Sequence, residues 1–133
     1  MSVFVDTSAL YAFLVESEGA HPEVVRAVSQ VLQEGRRLRT SSYALVETSA
    51  LLQRRIGLPA VRDLQARLAP LLSVAWVDRA LHERAVRRLF QADRRSLSLV
   101  DCVSFELMSA EGIRDALTLD RHFTEAGFRA MPG

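Results

Sequence analysis

Short continuous apolar runs alternate along this chain with longer segments whose apolar positions recur every three or four residues. Residues 2–5 form a valine-rich run that reads as a buried strand. Residues 7–15 read as a helix, with Asp6 or Thr7 near its N-cap. Pro22 then takes a first-turn position, and Val24, Val28, Val31 and Leu32 mark one helical face that Gly35 stops. Residues 38–41 are a second strand, interrupted by Arg39, and residues 42–56 a helix ended by Gly57. Pro59 opens another helix with Val61, Leu64, Leu68 and Leu71 at three- and four-residue spacings. Residues 73–77 are a third strand, with Trp76 expected in the core. Asp78 caps a helix running to Ala92 with Leu81, Ala85, Leu89 and Phe90 inward. Residues 98–110 are helix ended by Gly112, 115–119 a fourth strand, 121–126 a short helix, and 128–131 a fifth strand stopped by Pro132.

Five short apolar strands alternating with helices indicate a parallel α/β sheet covered on both faces. In such folds ligands sit outside the carboxyl ends of the strands. No repeat, linker or low-complexity stretch divides the 133 residues, so one domain over 1–133 is expected. The longest apolar run, from Ala9 to Val15, is far too short to cross a bilayer, and no basic segment precedes it. A single cysteine, Cys102, excludes an internal disulfide framework and is expected to pack. The chain therefore reads as cytoplasmic, without membrane association.

Charge changes the picture in two ways. All 17 basic residues are arginine. The absence of lysine removes P-loop and Schiff-base chemistry, both of which need the amine. Arginine suits bidentate phosphate contacts, and it recurs as adjacent pairs at 36–37, 54–55, 87–88 and 94–95. The plainer explanation is a wholesale replacement of lysine by arginine.

The second feature is a set of four acids in apolar settings. Asp6 ends the run Ser-Val-Phe-Val, Glu47 lies within Tyr-Ala-Leu-Val-Glu-Thr-Ser-Ala-Leu-Leu, Asp101 within Ser-Leu-Val-Asp-Cys-Val-Ser-Phe, and Asp120 closes Ala-Leu-Thr-Leu-Asp. Ordinary roles exist for most of them. Asp6 and Asp120 can cap the helices that follow, and Ser98-x-x-Asp101 fits a capping box. Against this, Leu97, Phe105 and Met108 share the helical face of Asp101, and no cap explains a mid-helix Glu47. Four like charges cannot pair with one another, so their convergence would require a cation. An all-oxygen set selects hard ions such as Mg²⁺ or Mn²⁺, which activate water and stabilise a departing oxyanion. With the four acids clustered, the remaining residues carry +5 (+1 plus 4), an arrangement suited to a polyanion.

Val-Asp-Thr-Ser-Ala-Leu at 5–10, Glu47 in its alanine- and leucine-rich helix, Leu-Ser-Leu-Val-Asp-Cys at 97–102 and Leu-Thr-Leu-Asp-Arg-His-Phe at 117–123 resemble, in order, the signatures of PIN-domain ribonucleases. The resemblance spans nearly the whole chain and is closest to VapC-type toxins. It implies a three-layer α/β/α sandwich and a metal-dependent endoribonuclease preferring single strands. Asp6, Glu47, Asp101 and Asp120 would be the catalytic and metal-site acids for Mg²⁺ or Mn²⁺, with Thr7, Ser8 and Thr118 as hydroxyl neighbours. It further implies a homodimer held inactive by a VapB-type antitoxin.

Other residues say less. His122, two positions from Asp120, could touch the site, but a His-Phe pair more often packs a short helix. His21 and His82 read as surface residues, and Tyr43 could stack a base. A haloacid-dehalogenase-type phosphotransferase also opens with strand-Asp, but it wants a second acid where Ser8 stands, and a lysine. A receiver domain fails on the same missing lysine. A PIN nuclease for RNA maturation without an antitoxin, and a catalytically dead PIN-like binding module, remain as alternatives; the second would have been marked by loss of one of the acids.

Overall fold

The computed structural model describes residues 1–133. Five parallel strands, β1 (Ser2–Val5), β2 (Arg37–Ser41), β3 (Leu72–Ala75), β4 (Asp115–Leu117) and β5 (Arg129–Met131), form one sheet in the order β3-β2-β1-β4-β5. Helices α1 (Thr7–Leu14), α2 (His21–Gln33), α3 (Ser42–Arg55) and α4 (Leu58–Asp63) lie in the crossovers that carry the chain from β1 to β3. Helices α5 (Arg79–Ala92), α6 (Leu99–Glu111) and α7 (His122–Glu125) follow as the chain returns to β4 and β5. Because strand crossovers are right-handed, reversing the direction of travel across the sheet moves the later helices to the opposite face.

The core divides accordingly. Val3 and Val5 pack with Leu10, Val24, Val28, Val31, Leu52, Leu64 and Leu68 on one side of the sheet. Phe4, between them in sequence, packs with Leu81, Ala85, Cys102, Val103, Phe105, Met108 and Phe123 on the other. A strand places alternate side chains on opposite faces, and β1 is apolar on both because it is central. The result is the expected α/β/α sandwich. Cys102 is fully buried and packs, as expected.

Several stretches depart from expectation, among them β4, which ends at Leu117 and not at 119. The helix opened by Pro59 is not continuous: α4 gives way to a π turn at Leu64–Leu68 and a 3-10 turn at Ala69–Leu71. Pro70 has no N–H for the preceding turn, so the regular ladder ends there, and Leu71 is left exposed. Strand β3 stops at Ala75, so Trp76 is 78% exposed and is not a core residue. Phe90, assigned inward from spacing, is 74% exposed, because Leu81 and Ala85 alone carry the buried stripe of α5 to the sheet. Leu32 likewise lies at the margin of its helical face and is exposed.

Candidate active site

The strand order reverses at β1: the chain goes first to β2 on one side and later to β4 on the other. That reversal opens a crevice beyond the carboxyl ends of β1 and β4, the place where parallel α/β sheets bind ligands. Asp6 follows β1 directly, and its N–H still donates to the Leu117 carbonyl at 3.0 Å. Thr118 follows β4, and its N–H donates to the Met131 carbonyl at 3.0 Å. Both residues are thus fixed by sheet hydrogen bonds before their side chains make any contact.

Asp6 occupies the N-cap position of α1, yet its side chain makes no cap bond. Its Oδ2 accepts instead from Ser8 Oγ at 2.8 Å and Thr118 Oγ1 at 3.0 Å. Ser8 Oγ in turn accepts from the Leu119 N–H, and Thr118 Oγ1 from the Asp120 N–H, each at 2.9 Å. Both hydroxyl protons are therefore committed to the Asp6 carboxylate, and the backbone holds both hydroxyls in place. Asp6 is buried, at 4% exposure.

Asp101 does two things at once. It completes a capping box with Ser98, its N–H donating to Ser98 Oγ at 3.0 Å while its Oδ2 accepts from the Ser98 N–H at 3.2 Å. The same side chain faces inward and is buried. Asp120 Oδ1 accepts from the His122 N–H at 2.9 Å, which turns the chain into α7. His122 Nδ1 sits 2.8 Å from Asp120 Oδ1 and 3.9 Å from Asp101 Oδ2, without the alignment of a hydrogen bond. Its Nε2 lies 3.3 Å from Ser96 Oγ. Asp101, Asp120 and His122 each bring one donor atom within 4.8 Å of the others. Phe123 anchors this turn, stacking on Phe4 and meeting Phe105 edge-on at 4.9 Å between centroids.

Burial drives the Asp6 pKa from its ordinary 3.8 to about 6; the Asp101 charge adds to the rise, while the Ser8 and Thr118 hydrogen bonds oppose it. Asp101 is raised too, chiefly by burial and further by the charge of Asp120, against the hydrogen bonds from Ser98 and the pull of His122. The three aspartates thus form one electrostatic chain in which Asp101 makes the Asp6 charge costlier and Asp120 that of Asp101. In Asp6 and Asp101 the protein hydrogen bonds fall on Oδ2 and leave Oδ1 free; in Asp120 they fall on Oδ1 and leave Oδ2 free. Carboxylates pinned through one oxygen and open through the other suit a hard divalent cation, which would also cancel the repulsion.

Not every expected residue joins this group. Glu47 is half-buried on α3 and stands apart from the close set of Asp101, Asp120 and His122. Thr7 departs from its expected place: its hydroxyl reaches the Ala44 carbonyl at 3.5 Å, between α1 and α3, and not the Asp6 carboxylate. His122, expected mainly to pack, is instead the residue nearest the Asp120 carboxylate; the signal was its position two residues further on, in a turn that folds it back. His82 is not a bare surface residue, since its Nδ1 meets the Tyr43 hydroxyl at 2.6 Å. His21 similarly bonds the Ala12 carbonyl at 2.7 Å. Beside His122 a cleft of about 220 Å³ is lined by Arg88, Arg94 and Phe105.

This sheet order, with an acid after β1 and another after β4, defines a class. The PIN domain model matches residues 3–129, and the chain belongs to the PIN domain family. Within that family it is similar to the 23S rRNA-specific endonuclease VapC20 of Mycobacterium tuberculosis, in strains CDC 1551 and H37Rv, at 35% identity over 127 residues and 95% of each chain. The crystal structure of VapC20, described as a sarcin-ricin loop cleaving toxin, superposes with a TM-score of 0.83 over 96% of both chains. FitAcB from Neisseria gonorrhoeae shares the fold at a TM-score of 0.70 and 13% identity, over 96% of this chain and 95% of that one.

Proposed function

We propose that this protein is a metal-dependent endoribonuclease of VapC type, the toxin of a toxin–antitoxin pair. The observation that carries the reading is the Asp6–Asp101–Asp120 chain at the sheet's reversal point, the first two buried and the third half-buried, with Asp101 repelling Asp6 and Asp120 repelling Asp101, and each open through one oxygen. Asp6, Asp101 and Asp120 are the metal-site and catalytic acids, Glu47 on α3 is a fourth acid of the site although it stands outside the close set, and Mg²⁺ or Mn²⁺ is the ion. When bound, such an ion supplies the charge that activates water and steadies the oxygen leaving the phosphodiester.

The chain's own groups do the rest. Ser8 and Thr118 hold the Asp6 carboxylate in one orientation, and Ser98 holds that of Asp101. His122 places a ring nitrogen 2.8 Å from the Asp120 carboxylate, at the edge of the acidic group. Arg88 and Arg94 beside it offer positive charge to the RNA backbone next to the acids. Likeness to VapC20, named as a 23S rRNA-specific endonuclease, supports RNA as the substrate. The same likeness to a toxin supports a VapB-type antitoxin as partner, and the homodimer is proposed as the working state. The test is incubation of purified, antitoxin-free protein with cellular RNAs in Mg²⁺, in Mn²⁺ and in EDTA. Discrete cuts that appear with either ion and vanish in EDTA are the expected result, and intact RNA under all three conditions overturns the reading.

A further inference from the structure

An open cavity of about 740 Å³, more than three times the volume of the cleft beside His122 (about 220 Å³), lies at the other end of the sheet. It is ringed by the first residues of four strands, Ser2 of β1, Arg37 of β2, Asp115 of β4 and Arg129 of β5. Five arginines, Arg36, Arg37, Arg39, Arg114 and Arg129, line it against two carboxylates, Glu111 and Asp115, so its walls carry +3 (five minus two). Arginines and carboxylates in equal number would make a self-contained salt-bridge cluster; here the cations are in excess.

The carboxylates organise the arginines rather than cancel them. Asp115 takes Arg36 Nη2 at 2.6 Å and Arg129 Nε at 2.7 Å, one on each oxygen. Glu111 takes Arg39 through two parallel bonds of 3.0 and 2.7 Å. Arg37 and Arg114 are exposed and have no carboxylate within ion-pair distance. Arg36 meets a further carboxylate, Glu34, at 3.8 Å through Nη1, yet keeps a buried Nε–H without an acceptor, so its carboxylates do not exhaust the donors of that guanidinium. Fixed forks with free neighbours fit an anion with several oxygens.

We propose that this arginine cavity is a second RNA-binding site, gripping backbone phosphates of the substrate away from the scissile bond. The inference rests on the endoribonuclease reading above. Strand β4 and the bend after it join the two places: Asp115 lines the cavity and Asp120 the acidic crevice, five residues apart, which is at most about 16 Å of chain. Only the three-residue edge strand β5 borders β4 on its outer side. A folded RNA can lie across that edge and reach both ends, whereas a short oligonucleotide held at the acids cannot.

The test compares wild type with an Arg37→Gln/Arg114→Gln variant, whose altered side chains are exposed and unpaired, so that the fold is kept; a thermal melt verifies this. Two substrates are used: a stem-loop RNA that the wild type cuts, and a short oligonucleotide spanning the same cleavage position. For the stem-loop, kcat/KM should fall on the order of ten-fold through KM, and the slope of log(kcat/KM) against log salt should flatten by about 1.4, at about 0.7 per lost phosphate contact. An Arg37→Lys/Arg114→Lys variant should keep the slope. Cleavage of the oligonucleotide should be unchanged. Equal kinetics of variant and wild type on the stem-loop, or equal losses on both substrates, overturn the proposal. Loss of affinity for the antitoxin with RNA kinetics intact overturns it in favour of a protein-docking surface. Wild type that cuts neither RNA refutes the nuclease reading itself, and this site with it.

Discussion

Thr118 Oγ1 donates to Asp6 Oδ2 at 3.0 Å across a sequence separation of 112 residues. The bond joins the residue after β1 to the residue after β4, closing the crevice at the sheet's reversal point, and it holds one carboxylate oxygen while the other stays free. Replacing Thr118 by the near-isosteric valine leaves the buried Asp6 with Ser8 as its only side-chain donor. Losing a hydrogen bond to a buried charge costs about 1.5–3 kcal/mol. Loss of a group that orients a metal ligand typically weakens metal affinity or activity by about 10–100-fold. Thr118→Val should therefore shift the Mg²⁺ concentration for half-maximal cleavage upward by at least about ten-fold. A metal titration of cleavage rate checks this; an unshifted midpoint would show that Thr118 only packs.

Asp6→Asn and Asp101→Asn should each abolish cleavage, a loss of three or more orders of magnitude being resolvable in an RNA assay. The same variants should melt at or above the wild-type temperature in chelator. Each removes a buried charge that its neighbours repel, while the amide oxygen can still accept from Ser8 and Thr118, or from Ser98. Activity and melting are measured on one preparation. Near-normal cutting by the asparagine variants would reduce both acids to structural roles.

The pH dependence of stability follows from the same carboxylates. Asp6 has a folded pKa of about 6 against an ordinary 3.8, so the folded state binds its proton more tightly than the unfolded state does. Its contribution is therefore greatest below about 4 and is lost as pH rises through 6, at a cost of about 3 kcal/mol by pH 7. Asp115 runs the opposite way: burial pulls its pKa up, but Arg36 and Arg129 together hold it below 3.8, so its contribution is lost as pH falls below that value. Metal-free protein should be most stable near pH 4, losing stability steadily toward pH 7, and Mg²⁺ at pH 7 should recover part of the loss. Melting curves across pH, with and without Mg²⁺, read this directly; a metal-free melt that rises steadily from pH 5 to pH 8 would contradict the burial of Asp6.

The sequence made much of this arrangement legible, for physical reasons. A short valine-rich run ending in aspartate can only be a buried strand delivering a charge to its carboxyl end, and Asp6 is placed there. The capping-box and inward-facing readings of Asp101, which looked like competitors, turn out to be compatible, because the cap uses only one carboxylate oxygen. What stayed hidden depended on tertiary geometry. The side chain of Thr7 rotates toward α3, a choice no local pattern encodes. His122 folds back because Asp120 caps its N–H, and that contact lies within a turn rather than in any periodic pattern. Trp76 and Phe90 were misplaced because burial by spacing assumes that an element continues and has a neighbour on that side. Strand β3 ends early at the sheet edge, and the outer flank of α5 has no neighbour.

Cleavage should leave 5′-phosphate and 3′-hydroxyl ends. The alternative, attack by the ribose 2′-hydroxyl, needs a base and an acid on either side of the phosphate, a task usually given to a pair of histidines. The structure sets a single histidine, His122, among the acids; His21 and His82 are engaged with the Ala12 carbonyl and Tyr43. Attack by water aided by a divalent ion needs no such pair. End-labelled products treated with phosphatase or with kinase distinguish the two, and cyclic 2′,3′-phosphate ends would show that the 2′-hydroxyl is the nucleophile.

Expression of the protein alone should arrest bacterial growth, and co-expression of a small antitoxin from the same operon should relieve the arrest. Two features favour such a partner. The acidic crevice holds three carboxylates, Asp101 repelling Asp6 and Asp120 repelling Asp101, whose free oxygens an inserted arginine or lysine can satisfy, replacing the charge of the ion. Elsewhere on the surface large apolar side chains stand in water, Phe90 at 74% and Trp76 at 78% exposure, and a partner segment can bury them. Asp6→Asn removes the cleavage but only one of the three charges, so it should abolish growth arrest while retaining antitoxin binding, and both are measured with the same expression strains. Arrest that persists in Asp6→Asn would mean that RNA cleavage is not its cause. Harmless expression of soluble wild type, with no small protein co-purifying, would favour an RNA-maturation nuclease working without an antitoxin.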